Sequence, residues 1–109
     1  MANRHRGEID AELNGRQWTL CLTLGALAEL EGHFKVDDLP KLAERLASGS
    51  LSAGDIQAIL LAGLRGGGHD IQAEEVAEMR SPTGATGYAR IVSDLLVASF
   101  GSQSPSDAQ

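Results

Sequence analysis

Apolar and polar residues alternate strictly near the start of the chain. From Gly7 to Leu13, three apolar residues alternate with three carboxylates, and a second alternation runs from Trp18 to Leu22. A period of two puts successive side chains on opposite faces of a β-strand, one toward the core and one toward water. The pattern predicts two strands with a shared apolar face, which is formed by Ile9, Ala11, Leu13, Trp18, Leu20 and Leu22.

The dipeptide Asn14-Gly15 lies between the two predicted strands. Both central residues of a type I′ turn need positive φ, which Asn and Gly adopt most easily, so this dipeptide is a strong hairpin signal. A two-residue loop sets Ala11 opposite Trp18 and Ile9 opposite Leu20, the register that the apolar pattern also requires. Because two strands alone are unstable in water, helices or strands of another copy must cover the apolar face.

After Leu22 the apolar spacing changes to three and four residues, which is typical of amphipathic helices. Capping and stop signals divide this part of the chain into four to five short helices. We predict helices from Leu24 to about Phe34, from Asp38 to Ser48, from Ser52 to Gly66, from Ile71 to about Arg80, and from Ser81 to about Phe100.

The expected helix starts rest on particular residues. Ser52 and Asp55 have the spacing of a capping box. Asp70 is expected to cap the fourth helix, and Ser81-Pro82 are expected to be the cap and first residue of the fifth. Two glycines weaken the start of the fifth helix, so its ordered part is expected to begin nearer Gly87.

The predicted fold class is α+β, an N-terminal β-hairpin followed by four to five short α-helices and mainly helical. A chain of 109 residues has the length of one domain. We expect residues 1–6 to be a flexible leader and residues 7–100 to form a single domain. Residues 101–109 contain Ser, Pro and Asp without large apolar side chains, and we expect them to be a disordered tail.

The formal net charge of −6 disfavours nucleic acid and anionic membranes as partners, since both require clustered Lys and Arg. A helix-turn-helix would also bring Glu74, Glu75 and Glu78 toward DNA phosphates. No apolar run approaches the roughly 20 residues that span a bilayer. The single cysteine, Cys21, permits no internal disulfide and suits a reducing compartment. We therefore expect a soluble, cytoplasmic protein that binds neither nucleic acid nor membrane.

Residue types that carry catalysis or metals elsewhere are scattered in this chain. The three histidines, His5, His33 and His69, have no ligand spacing, and Cys21 has no base nearby in sequence. The glycines at 63 and 66–68 follow a predicted helix and lack the Lys-Ser/Thr of a phosphate loop, so they indicate a helix stop. We predict no catalytic, cofactor-binding or metal-binding residue, and we do not expect an enzyme.

Four segments carry a family resemblance: residues 3–7, the Asn14-Gly15 hairpin, the run from Leu24 to Glu31, and residues 64–68 with the following Glu-Glu-Val-Ala. Together they resemble the small tail protein family of gene transfer agents and prophages, over about residues 3–100. The resemblance implies a non-enzymatic morphogenesis factor. As a tail assembly chaperone, it would hold the tape measure protein and recruit tail tube subunits.

This family carries two labels, tail tube protein and tail assembly chaperone. A tube subunit must contribute to a closed ring of β-structure, and one hairpin offers too little strand for that. We therefore favour the chaperone. The alternative is a small structural or adaptor protein of the tail, a tube component whose hairpin edges pair between copies as a homo-oligomer.

A holder of a long helical partner needs an apolar groove between helices. We hypothesise that the first and last helices form this groove. The alternative is that their apolar stripes simply fill the core, which is the usual fate of such stripes. The residues predicted to bind the partner are Leu27, Leu30, Phe34, Tyr88, Leu95 and Phe100.

Overall fold

The computed structural model describes residues 2–101. A short 3₁₀ helix, Arg4–Arg6, precedes two strands, β1 (Glu8–Leu13) and β2 (Arg16–Cys21). Five helices follow: α1 (Leu24–Phe34), α2 (Leu39–Ala47), α3 (Ala53–Gly66), α4 (Ala73–Ala77) and α5 (Ala85–Phe100). The predicted α+β class, a hairpin followed by helices, is confirmed.

The hairpin has the predicted register. Ile9 lies opposite Leu20 and Ala11 opposite Trp18 in an antiparallel pair. Asn14 and Gly15 have φ values of 56° and 75°, as a type I′ turn requires. Turn chemistry and alternation favour one register, so a local stretch of sequence determines this element.

The first three helices each begin after a residue whose side chain caps them. The Thr23 hydroxyl accepts a hydrogen bond from Ala26 N–H at 3.2 Å, and Asp38 accepts one from Lys41 N–H at 2.9 Å. Ser52 and Asp55 form the predicted capping box, each side chain accepting a bond from the other's main-chain N–H at 3.0 Å. These contacts satisfy donors that a helix start leaves unpaired.

The prediction for α4 was wrong at both ends. The helix begins at Ala73, because Ile71 is buried and its carbonyl accepts a bond from Arg65 Nε at 3.0 Å, so Asp70 does not cap it. It ends at Ala77, well before Arg80, whose N–H donates to Asn14 Oδ1 at 3.0 Å. Long-range bonds at both flanks therefore shorten the helix.

Ser81-Pro82 are not the cap and first residue of α5, as was predicted, but the ordered helix does begin near Gly87, at Ala85. Residues 82–84 form a turn, closed by a bond from Gly84 N–H to the Ser81 carbonyl at 3.2 Å. Gly84 has φ 66°, which a right-handed helix does not accommodate, so α5 begins at Ala85.

The glycines at the C-terminal end of α3 do more than end the helix. A Cβ at Gly66 would lie 1.9 Å from the Cys21 carbonyl oxygen, and one at Gly67 would lie 1.9 Å from the Thr19 oxygen. Only glycine permits this approach of main chain to main chain. The C-terminal end of α3 is therefore seated directly on β2.

Helix α3 is the centre of the fold, since it lies against β2, α1, α4 and α5. Helix α5 also covers the hairpin, and the main chain of α2 lies close only to α1 and α5 among the described elements. The buried side chains form one continuous cluster that includes Leu13, Leu20, Leu30, Leu42, Ile59, Leu64 and Leu95. The hairpin is therefore covered by helices of its own chain.

The predicted leader and tail have different outcomes. The leader contains the 3₁₀ helix, in which Arg6 N–H donates to the Asn3 carbonyl at 2.9 Å. Its flexibility stays a prediction, as does the extent of the single domain. The predicted disordered tail lies outside the described residues, apart from the exposed Gly101.

Candidate functional site: an apolar groove between α2 and α5

An open groove of about 960 Å³ separates α2 from α5. The loop after α2 and the start of α3 close one side of it, with Leu51 and Ile56 in the lining. We call it the α2–α5 groove, and its lining consists of Pro40, Ala43, Glu44, Leu46, Ala47, Gly49, Leu51, Ile56, Ala89, Val92, Ser93, Leu96, Val97, Phe100 and Gly101.

The groove exists because small residues face each other across it. Ala43 and Ala47 lie on α2, and Ala89 and Ser93 lie on α5. Their side chains are too short to fill the space between the two helices. Val97 of α5 leaves 48% of its surface exposed there, so apolar surface remains uncovered in the groove.

Polar contacts fix the C-terminal end of α2. Arg45 donates from Nη1 to the Ser50 carbonyl at 2.8 Å, and its Nη2 lies 3.4 Å from Asp55 Oδ2. The other carboxylate oxygen of Asp55 lies 2.9 Å from His33 Nε2. One carboxylate therefore joins the ends of α1 and α2 to the start of α3.

The surroundings of Asp55 lower its pKa below the ordinary value of an aspartate. The largest cause is the hydrogen bond that its carboxylate accepts from Ser52 N–H, followed by the bond from His33. Both contacts favour the ionised carboxylate. The junction is therefore complete at neutral pH, with Asp55 charged.

The groove is almost uncharged. Among its lining residues in the described chain, Glu44 is the one that carries a charge, and it has no ion pair or hydrogen-bond partner through its side chain. A carboxylate at the side of an apolar groove favours an occupant with a positive charge at that point.

The six residues predicted to bind a partner fall into different environments. Leu30 and Leu95 are core residues, 1% and 0% exposed, while Leu27 and Phe34 are half-buried against the core. No Cα of α1 comes within 8 Å of one of α5 in the described chain, because both helices lie against α3. The structure therefore does not bring the two predicted halves together.

The two remaining residues, Tyr88 and Phe100, belong to α5. Tyr88 is half-buried, and its hydroxyl donates to the Met79 carbonyl at 2.6 Å. Phe100 lies in the lining of the α2–α5 groove. Of the six, Phe100 alone lines this groove.

Sequence reasoning missed the contribution of α2. No residue of α2 was predicted to bind a partner, and two residues of its apolar stripe, Leu42 and Leu46, are buried, 0% and 2% exposed. The available signal was the pair Ala43 and Ala47 beside that stripe, since small residues at helical spacing leave room for a neighbour. The partner helix, α5, could not be identified from that signal.

Two observations bear on metal binding and on the reactivity of the single cysteine. No group of three His, Cys, Asp or Glu side chains comes together in residues 2–101 as metal ligands would. Burial, assisted by Glu8, raises the pKa of the Cys21 thiol, whose Sγ donates to the Arg6 carbonyl at 3.7 Å. A raised pKa keeps this thiol protonated and poorly nucleophilic.

Helix lengths and composition also bear on the membrane question. Within residues 2–101, none of the helices combines the length and the hydropathy needed to cross a bilayer.

The described residues thus form a mainly helical α+β domain with an apolar groove between α2 and α5. The chain belongs to the family described as "Phage tail tube protein, GTA-gp10", a family of the phage tail assembly chaperone type, whose sequence model matches residues 6–102. Families of this type are generally non-enzymatic. The chain has no significant match among curated proteins and none among solved structures.

Proposed function

We propose that this protein is a tail assembly chaperone of a gene transfer agent or prophage. It acts in the cytoplasm without enzymatic activity, holds the tape measure protein, and recruits tail tube subunits to it. Family membership supports a role in tail assembly. The observation that carries the chaperone role is the open α2–α5 groove, because a holder of polypeptides needs an unfilled apolar surface.

The occupant of the groove is an amphipathic helix of the tape measure protein. Its large apolar side chains fill the space left by Ala43 and Ala47 and contact Val97 and Phe100. A Lys or Arg on the same helix pairs with Glu44. Of the residues predicted from sequence, Phe100 contacts this partner directly, and Leu95 acts by holding α5 from its core side.

The second candidate is a tail tube component that self-associates, which the family description favours. Against it, residues 2–101 contain only the two strands of one hairpin, whereas a tube wall of closed β-structure requires more strand from each subunit. The two functions differ in what the protein assembles with: itself, or a second polypeptide in fixed ratio.

Mass measurement in solution separates the two candidates. We expect the full chain alone to be a monomer or small oligomer. It should gain mass in fixed ratio when mixed with helical segments of the tape measure protein from the same gene transfer agent or prophage. Rings or tubes formed by the chain alone, seen by electron microscopy, would instead identify a tube component.

Two exposed apolar residues provide a matched pair for the groove. Val97→Glu puts a charge into the groove, whereas Leu24→Glu puts one on α1, where Leu24 is 77% exposed and outside the lining. We expect Val97→Glu to weaken binding of the helical segment at least tenfold and Leu24→Glu to leave it unchanged. Equal effects of the two variants would exclude the groove as the binding site.

A further inference from the structure

The two outer edges of the hairpin differ in how they are covered. In a hairpin with a two-residue turn, every second residue of each strand points its main-chain N–H and C=O away from the other strand. On β2 these residues include Thr19 and Cys21, whose carbonyl oxygens lie against Gly67 and Gly66. The end of α3 therefore closes the outer edge of β2.

The outer edge of β1 is closed only at its two ends. At its start, Glu8 N–H donates to the Asn3 carbonyl at 3.1 Å. Past its end, Asn14 N–H donates to the Arg80 carbonyl at 2.8 Å, and Arg80 N–H returns a bond to Asn14 Oδ1. The main-chain N–H of Glu8, at the start of β1, and that of Asn14, just past its end, are therefore both paired within the chain.

The middle of this edge is open. The outward N–H groups of Asp10 and Glu12 have no hydrogen-bond partner among residues 2–101, and both residues are exposed. We call these groups, with the carbonyl of Glu8, the β1 edge. At about 3.4 Å per residue, the open stretch has room for about five residues of extended chain.

Charge indicates which extended chain fits. The water-facing side chains of β1 are Glu8, Asp10 and Glu12, whereas those of β2 in the same rows are uncharged. Glu8 already lies 3.9 Å from Arg6 and accepts a bond of 2.9 Å from Asn3 N–H. Asp10 accepts bonds of 3.4 Å from the Thr19 hydroxyl and from Ala2 N–H, so both carboxylates keep only part of their acceptor capacity for a partner. Glu12 has no side-chain partner among the described residues. Lys or Arg at alternate positions of an added strand would pair with these carboxylates.

The same charges disfavour the other two occupants. A second copy that presented its own β1 would set carboxylates against carboxylates, which is unfavourable across strands. The chain's own residues after Gly101 include Pro105 and Asp107 and contain no Lys or Arg. A separate basic polypeptide is therefore the occupant with complementary charge.

We infer that the β1 edge is a docking site for a short, extended, basic segment of a partner protein, which adds to the hairpin as a third strand. The main chain of the segment pairs with Asp10 and Glu12, and its alternate Lys or Arg side chains contact their carboxylates. This site lies on the hairpin, apart from the lining of the α2–α5 groove, and does not depend on the chaperone function.

The test uses the full chain, labelled with ¹⁵N, and a capped peptide of six residues in which Lys alternates with Val. At saturation, we expect hydrogen exchange of the Asp10 and Glu12 amides to slow at least tenfold. A peptide with Glu in place of Lys should not bind. Failure of the Lys peptide to bind at about 1 mM, or protection confined to residues outside β1, would overturn the inference.

Two controls separate strand addition from simple charge attraction. Two versions of the Lys peptide are N-methylated at every second residue, one at the odd positions and one at the even positions. Both keep their charge, but one of them loses the main-chain donors that face the β1 edge. We expect that one to bind at least tenfold more weakly, and equal binding of both to the unmodified peptide would overturn the inference.

The second control changes the protein. Asp10→Pro removes the outward N–H and leaves the bonds between β1 and β2 in place, whereas Asp10→Asn removes only the charge. With the fold of both variants verified by thermal unfolding, Asp10→Pro should lose more binding than Asp10→Asn. Equal losses would contradict strand addition.

The free protein tests the other occupants. If the Asp10 and Glu12 amides are already protected without peptide, protection that rises with protein concentration would identify a second copy. Protection independent of concentration would identify another segment of the same chain. Either result would overturn the inference.

Discussion

Helices α3 and α2 both present small residues to a neighbour, with opposite results. On α3, the neighbours come so close that a Cβ at Gly63 would lie 2.9 Å from Leu95 Cδ2. On α2, Ala43 and Ala47 also face another helix, α5, but an open groove of about 960 Å³ remains between them. The same kind of residue therefore gives a tight contact in one place and a gap in the other.

The difference lies in what holds each helix. Helix α3 is held by close packing, since it touches four other elements and gains dispersion contacts along its length. Helix α2 packs against two elements, α1 and α5, and its C-terminal end is fixed by the bonds of Arg45 to Ser50 and to Asp55 of α3. Polar bonds at one end can hold a helix in place while its face stays open to a partner.

The largest effect on stability should come from α5, where a residue on the buried face can be compared with one on the groove face. Leu95→Ala removes a side chain that is 0% exposed beside α3 and should lower the free energy of unfolding by about 3 kcal/mol. Val97→Ala, two residues further along in the groove, should change it by less than about 0.5 kcal/mol. Urea denaturation measures both values. Similar losses for the two variants would mean that the groove is packed as tightly as the core.

A second pair of variants tests the seat of α3 on β2. Gly66→Ala brings a Cβ against the Cys21 carbonyl and should lower the free energy of unfolding by about 2 kcal/mol, because the main chain must move. Gly32 in α1 has open space around it, so Gly32→Ala should raise the free energy of unfolding by about 0.5–1 kcal/mol through helix propensity. Thermal unfolding distinguishes them. A stabilising Gly66→Ala would show that α3 is not in close contact with the strand.

The junction at the end of α2 should respond to acid through Asp55. Because its pKa is lowered in the folded protein, Asp55 contributes stability above its ordinary pKa, near 4, and loses it as the pH falls through the lower folded value. Asp55→Asn should be less stable at pH 7 and should show a smaller loss between about pH 5 and about pH 2. Unfolding temperatures measured across this range test it, with Glu44→Gln as the control for a carboxylate without partners. An unchanged acid dependence in Asp55→Asn would contradict the assigned bonds.

The smallest effect concerns His69, which lies beyond the end of α3. Its Nε2 is buried without a hydrogen-bond partner among the described residues, while its ring meets Trp18 edge-on at 4.8 Å. His69→Phe keeps the ring contact and removes the unpaired nitrogen, so it should raise the free energy of unfolding by up to about 1 kcal/mol. His33→Phe loses the contact with Asp55 and should destabilise instead. Urea titration compares the two, and a destabilising His69→Phe would point to a partner for Nε2.

Local signals in the sequence account for much of the fold. Asn14-Gly15 and the alternation around it determine the register of the hairpin, because turn type and apolar face agree. Thr23, Asp38 and Ser52 determine where three helices begin, because a cap bonds to main chain only three residues away. In each case the deciding contact lies within a few residues, so sequence alone is sufficient.

Tertiary structure decided the rest. The start of α4 depends on the bond from Arg65 to the Ile71 carbonyl, and Gly66 is needed because β2, far back in the chain, lies against it. The groove also depends on contacts between segments that are distant in sequence. Sequence identified the apolar stripe that contains Phe100, but only packing placed α2, and not α1, across from it. A helix presents a similar stripe to any neighbour, so the identity of that neighbour is a property of the folded chain.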